Sequence, residues 1–255
     1  MSDFSSWGPT PDLKLKPEIT AHGGSIVSAV VGGEYDEMSG TSMAAPNMCG
    51  IVVLIRQYIK EKYPDLSVTE MRDMVNQICM STATIALDNK GNPYSPRKQG
   101  AGIADLKKAT TTNAYLFVEG TGKTKLELGD DPNRTGVYTM TVQLKNLSNA
   151  AISYRLGNIT MTETVSSADP EYVAEIAYLL SNSAKYEVTG GGYENGIITV
   201  AAGATATVIP EIPFDADACI EKMKKLDTPK LFRQLGTELT DGFVAAGKAH
   251  GFDLR

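Results

Sequence analysis

The feature that most constrains this chain is a change of hydrophobic period near Thr110-Thr111-Thr112-Asn113. Upstream, apolar residues recur at helical spacing. Downstream, Tyr138, Met140, Val142 and Leu144 alternate with Thr139, Thr141, Gln143 and Lys145. A period of two belongs to a strand with one buried face, and a period of about 3.6 belongs to a helix. One element cannot satisfy both. The chain therefore reads as a helix-containing part followed by a β part, and its 255 residues are enough for a core in each.

In the first part, Ile26-Val27 and Ala29-Val30-Val31 are short apolar runs broken by Gly23-Gly24 and Gly32-Gly33. They suit short buried strands joined by turns. Glu34, Asp36 and Glu37 then read as an acidic loop that could attract a basic substrate or hold a cation; a solvated loop is the plainer reading. A helix is predicted over Ser42–Lys62, ended by Pro64. Its start, Met48 to Ile55, is apolar almost without a break, which predicts burial all round. Pro46 then has to lie in the first helical turn. Ser67-Val68-Thr69-Glu70 is a capping box for the next helix. There Met71, Met74, Val75, Ile78 and Cys79 form one apolar stripe, with the methionines as core filler. Asp88–Lys98 reads as a polar loop and Ile103–Ala109 as a short helix.

In the second part, Tyr115–Glu119, Lys125–Leu128, Ile152–Leu156, Tyr186–Val188, Ile197–Val200 and Thr205–Ile212 are further strand candidates. Short strands at this spacing predict an antiparallel β-sandwich. Pro170–Leu180 and Ala216–Leu226 read as helical insertions. Asn133-Arg134-Thr135, Asn146-Leu147-Ser148 and Asn158-Ile159-Thr160 fit the glycosylation sequon, at a frequency chance would give, and carry no assigned role.

A net charge of −6 without a Lys/Arg cluster argues against a nucleic-acid partner. No run approaches the roughly 18 apolar residues of a membrane span. The first residues lack the basic start and apolar core of a signal peptide. Cys49, Cys79 and Cys219 lack metal-ligand spacing and read as three buried thiols, although a Cys49–Cys79 bridge stays open. No cofactor or metal site is read from the sequence.

Gly40-Thr41-Ser42-Met43-Ala44-Ala45-Pro46 is the stretch that carries chemistry. A serine hydroxyl becomes a nucleophile only beside a general base and donors for a developing oxyanion, and a helix start supplies such donors. Gly40 is expected to permit a backbone bend that a Cβ would hinder. The stretch is not the lipase-type elbow, because Ala44 stands where that motif needs glycine.

This stretch resembles the nucleophile motif of the subtilisin-like serine peptidases, the subtilases. Phe4-Ser5-Ser6-Trp7-Gly8-Pro9 and Lys16-Pro17-Glu18-Ile19-Thr20-Ala21 resemble the segments that precede it. Gln99-Gly100-Ala101-Gly102-Ile103-Ala104-Asp105 resembles the run that closes the catalytic domain in large cell-envelope, lactocepin-like members. The resemblance covers roughly the first 110 residues strongly and the remainder more loosely. It implies that residues 1–112 are the C-terminal portion of a doubly wound α/β peptidase domain. Residues 113–214 would be a fibronectin-type-III-like sandwich, and residues 215–255 a helical linker and the start of a truncated further β domain at Asp241-Gly242-Phe243-Val244. Ser42 would be the nucleophile, with its backbone N–H as one oxyanion donor. Gly40, Thr41, Met43, Ala44 and Pro46 would support it, and the substrate would be polypeptide. Asn47 stands where the family usually has a histidine that is not the triad histidine.

The family uses an Asp, a His and a Ser in that order, with about 150 residues between His and Ser. Here 41 residues precede Ser42. The expectation is an internal piece of a longer peptidase, lacking the Asp, the His and the oxyanion-hole Asn, and inactive alone. His22 stands where the family usually has proline, and neither it nor His250 matches the catalytic position; both read as loop histidines. The parent protein would be secreted or held at the cell envelope. The competing readings are a non-catalytic surface-interaction or spacer module, and one half of a split peptidase whose upstream polypeptide supplies Asp and His.

Overall fold

Helices form where the apolar period and the caps agree. In the computed structural model, which describes residues 1–129, 133, 135–164, 176–180 and 184–213, Ser67 and Glu70 close the predicted capping box. The Glu70 N–H donates to Ser67 Oγ at 3.3 Å and the Ser67 N–H donates to Glu70 Oε2 at 2.9 Å. The box starts α2 (Val68–Ser81), which packs its stripe of Met71, Met74, Val75, Ile78 and Cys79 against Ile55 and Ile59 of α1 (Thr41–Lys62). Ala109 of α4 (Leu106–Thr111) completes this core. Ile103, expected in that last helix, instead bridges Thr20 and Thr84, and Asp105 caps α4 by accepting the Lys108 N–H at 3.0 Å. The bridge from Ile103 to Thr20 is the one parallel pairing among the described residues.

The start of α1 departs from the sequence reading. Ala45, Cys49, Val53 and Leu54 are exposed, Val53 at 63% and Leu54 at 48%. Only the side through Ile51, Val52, Ile55 and Ile59 joins the core. Hydrophobicity states how much apolar surface a helix carries, not whether a second layer covers it, and among the described residues nothing covers this face. Cys49 is accordingly exposed rather than buried, and it and Cys79 are free thiols. Burial pushes the Cys79 thiol up to about 11. Cys219, His250 and the readings of Ala216–Leu226 and Asp241–Val244 lie outside the described residues.

The acidic stretch is a strand rather than a loop. β1 (Ile26–Ala29) and β2 (Tyr35–Met38) form an antiparallel hairpin, and its register pairs Ser28 with Asp36 and Val27 with Glu37. Gly32 and Gly33, at φ 101° and 79°, take the left-handed conformations of the tip, which locates the turn before Glu34. The hairpin is largely exposed, against the expectation of buried strands.

Two glycines seat this hairpin and α1 on the chain behind them. The Gly40 N–H donates to the Gly23 carbonyl at 2.8 Å. A Cβ on Gly23 would lie 2.6 Å from the Gly40 oxygen and 2.9 Å from Ala44 Cβ. The Asp88–Lys98 loop ends in α3 (Pro96–Gln99), capped by Ser95. Its buried Gln99 amide accepts the Ala86 N–H at 2.7 Å and donates to the Tyr94 carbonyl at 2.6 Å.

The β part is antiparallel throughout. β3 (Ala114–Phe117), β5 (Val142–Asn146), β12 (Thr205–Pro213) and β4 (Val137–Thr139) lie side by side, and β9 (Lys185–Thr189) pairs with β12. The alternating run expected as one strand is thus two, β4 and β5, which pair with the end and the beginning of β12. A second sheet joins β10 (Gly192–Glu194), β11 (Ile197–Val200) and β6 (Ile152–Arg155). Ala114, Leu144, Ala206 and Val208 of the first sheet share a core with Ile198 and Val200 of the second. Fully buried Asn146 fastens its edge. Its Nδ2 lies within 2.8–3.1 Å of the Ala150, Val200 and Ala201 carbonyls, so this sequon asparagine is a structural staple. Two further readings fail. Ile176–Leu180 is a strand, β8, paired with β7 (Thr160–Thr164), because β-branched and aromatic residues accept a strand partner that propensity alone does not reveal. The 170–175 half of that reading lies outside the described residues.

Lys125–Leu128 joins no ladder and instead holds the first part. Lys125 Nζ donates to the Leu15 carbonyl at 2.7 Å, and the Leu15 N–H donates to Glu127 Oε1 at 3.1 Å. Glu18 gathers Lys16, Lys123 at 2.9 Å and Lys125 at 3.6 Å. Ser81 of α2 bonds both backbone groups of Leu116 in β3, at 2.9 and 3.0 Å. By packing, residues 1–158 and 183–213 form one unit.

Partial burial pushes the Glu18 carboxyl up, but hydrogen bonds and charge from Lys16 and Lys123 outweigh it and hold the pKa at about 2. Because that lies below the ordinary value of 4.5, Glu18 contributes stability above pH 4.5 that is lost as the pH falls toward 2. Urea unfolding should find Glu18→Gln less stable by on the order of 1 kcal/mol at pH 7, with the gap from wild type closing near pH 2. A gap independent of pH would mean that the network is not electrostatic. In the same assay Gly23→Ala should lose at least about 2 kcal/mol through the clash with Gly40. Gly50→Ala, where a Cβ meets nothing within 4 Å, should gain up to about 1 kcal/mol from helix propensity.

Candidate functional site

Ser42 is the second residue of α1, so the start of a long helix positions it. A first turn has N–H groups with no partner in the helix, and here those of Thr41 and Ser42 donate to no backbone acceptor among the described residues. Met43 and Ala44 donate to the Gly40 carbonyl at 3.1 and 3.3 Å. No acidic side chain occupies the first turn, so the partial positive charge of the helix start is unneutralised beside Ser42. Ser42 Oγ is exposed and donates to Met43 Sδ at 3.3 Å, a weak acceptor.

The residues around Ser42 act differently from their sequence reading. Gly40 has φ 161° and ψ 164°, an extended backbone open to any residue, so it provides no bend. What it provides is room: a Cβ there would stand 3.2 Å from Ser42 Oγ. Pro46 is the sixth residue of α1 and lies in its second turn, because the helix begins at Thr41. It lacks the N–H that would reach the Ser42 carbonyl. The close approach that the motif requires is made by Gly23, legible in the sequence only as turn punctuation.

Beside Ser42 lies a cavity of about 310 Å³. Its walls are Ile26, Ser28, Ala29 and Val30 on the side of β1, Asp36 and Met38 of β2, and Met43, Pro46 and Asn47 of α1. His22 is not part of it. That exposed side chain lines a separate cavity of about 560 Å³ with Thr41, Ala44 and Tyr94. Among the described residues no histidine or carboxylate accepts a hydrogen bond from Ser42. Oxyanion-type donors and an accessible hydroxyl are therefore present together, without a base among the described residues. Among the described residues no group of three His, Cys, Asp or Glu side chains is arranged to hold a metal ion. No helix among them is long and apolar enough to cross a membrane.

Against known proteins, residues 1–102 match the model of the subtilase family. The C5a peptidase of Streptococcus pyogenes is 38% identical over 149 residues, which is 58% of this chain and 12% of that protein. The PII-type and PI-type proteinases of Lactococcus lactis subsp. cremoris are each 32% identical over 221 residues, or 82% of this chain and 11% of theirs. The chain thus spans about one eighth of the length of the relatives it matches. The lactococcal alignments run well beyond residue 102, so the likeness also takes in strands of the β part. The first 102 residues of this chain belong to the subtilase family.

Proposed function

We propose that this chain is a segment of a serine endopeptidase of the cell-envelope type, in which Ser42 attacks the carbonyl carbon of a peptide bond. The observation that carries the reading is the setting of Ser42. Its hydroxyl is exposed at a helix start, next to unpaired N–H groups and at the wall of a cavity. In the reaction the hydroxyl adds to the carbonyl as a base takes its proton, and the Ser42 N–H donates to the oxyanion that forms. The base then returns the proton to the leaving amine. Gly40 leaves room for the hydroxyl, and Thr41, Met43, Ala44 and Pro46 would support it from the first two turns of α1. Residues 1–112 are assigned to the peptidase domain and residues 113–214 to a fibronectin-type-III-like domain. The resemblance to the large cell-envelope subtilases would put the whole protein outside the cell or at its envelope.

The split-peptidase reading has its own support. The uncovered face of α1, with Ala45, Cys49, Val53 and Leu54, is surface that a second polypeptide carrying the Asp and the His could bury. The spacer reading has no comparable observation.

The test is turnover of a casein-type substrate. The 255-residue chain alone should give no turnover above buffer, since among the described residues no histidine or carboxylate stands ready to take the Ser42 proton. Adding a polypeptide that carries the preceding part of a subtilase domain should bring turnover that Ser42→Ala abolishes. Activity of the chain alone that survives Ser42→Ala would overturn the assignment of the nucleophile.

A further inference from the structure

We propose that the cavity beside Ser42 is a substrate subsite for a lysine or arginine side chain, with Asp36 as its counter-ion. The inference rests on the peptidase reading of Ser42. It begins with hairpin register. Ile26 opposite Met38, and Ser28 opposite Asp36, place these four side chains on one face of the hairpin. That face turns toward the first turns of α1, and the space between is the cavity of about 310 Å³. Site volumes for small ligands run from roughly 300 to 1,000 Å³, so this one has room for a single long side chain.

The lining selects the type. Ile26, Met38, Met43 and Pro46 are apolar, Ser28 and Asn47 are polar, and Asp36 is the only ionisable group. An apolar stem with a cationic head matches that order, because the methylenes lie along the apolar wall while the head meets the carboxylate. No lysine or arginine occurs from Pro17 to Ile55, so this part of the chain has no cation of its own to offer. Among the described residues Asp36 forms no ion pair; its Oδ1 accepts the Glu37 N–H at 2.8 Å. Glu34 and Glu37 add to the negative potential at the hairpin and would disfavour an acidic side chain there.

The experiment titrates blocked Ala-Lys-Ala, Ala-norleucine-Ala and Ala-Glu-Ala peptides into the full 255-residue chain and follows backbone amides by NMR. The lysine peptide should shift the amides of Asp36, Met38, Ser42 and Asn47. It should bind roughly three- to fivefold tighter than the norleucine peptide, the upper end of what one exposed ion pair supplies. Raising the ionic strength to about 0.5 M should shrink that preference. Asp36→Asn should reduce it to within about twofold. Ser28→Lys, which sets a cation across from Asp36, should reduce it equally. Equal binding of the lysine and norleucine peptides to wild type, or a preference that survives both variants, would overturn the proposal. Ser42→Ala separates the two readings. It should leave the lysine preference in place, whereas it removes turnover in the complemented reaction if Ser42 is the nucleophile. A lysine preference alongside turnover insensitive to Ser42→Ala would sink the peptidase assignment, and with it the assignment of the cavity as a substrate subsite.

Discussion

Everything at the candidate site depends on one close backbone approach. The Gly23 carbonyl accepts the Gly40 N–H at 2.8 Å, and no side chain fits between the two segments. This contact fixes where α1 begins. It thereby fixes which N–H groups are left without helical partners, and where Ser42 Oγ emerges. It also fixes the root of the β1–β2 hairpin, since Gly23 and Gly40 flank it. The hairpin face and the helix start then have a set separation, and the cavity is the space left between them. A bulkier residue at Gly23 would move the serine, the free donors and the cavity wall together.

The helical core and the β core are separate clusters stabilised by different means. Ile55, Ile59, Met71, Met74, Val75 and Ile78 are buried by helix packing, while Leu144, Ile198, Val200 and Val208 are buried between two antiparallel sheets. Polar contacts join them. Ser81 acts as a strand neighbour for Leu116, and the Lys123–Lys125 segment reaches back to Glu18 and Leu15. Such contacts are individually weak when exposed, yet here they act together at one junction. They give the β part a physical role in holding the segments that precede the nucleophile motif, separate from any role it has in binding.

Where sequence reasoning failed, it failed for want of a partner. Lys125–Leu128 has strand-like composition, but its polar side chains are committed to the Leu15 backbone and no strand pairs with it. Ile176–Leu180 looks helical beside its polar neighbours, yet Thr160–Thr164 offers it a ladder. Gln99 and Asn146 were legible only as members of motifs. Their longer-range bonds, from Gln99 to Ala86 across 13 residues and from Asn146 to Ala201 across 55, leave no local pattern.

By itself the sequence determined what local physics determines. The capping box at Ser67 and Glu70, the stripe along α2, the long helix closed by Pro64 and the period-two strands follow from side-chain spacing and backbone preference. The seven residues from Gly40 to Pro46 were enough to point to the subtilase family. Tertiary structure decided the rest, because it depends on which surfaces meet. It left one face of an apolar helix uncovered, and it put Asp36 and Glu37 in a strand rather than a loop. It also sent His22 to a different cavity from Ser42 and brought Asp36 to the cavity that Ser42 lines. Chain separation carries no information about such encounters; the Gly23 approach and the hairpin register create them.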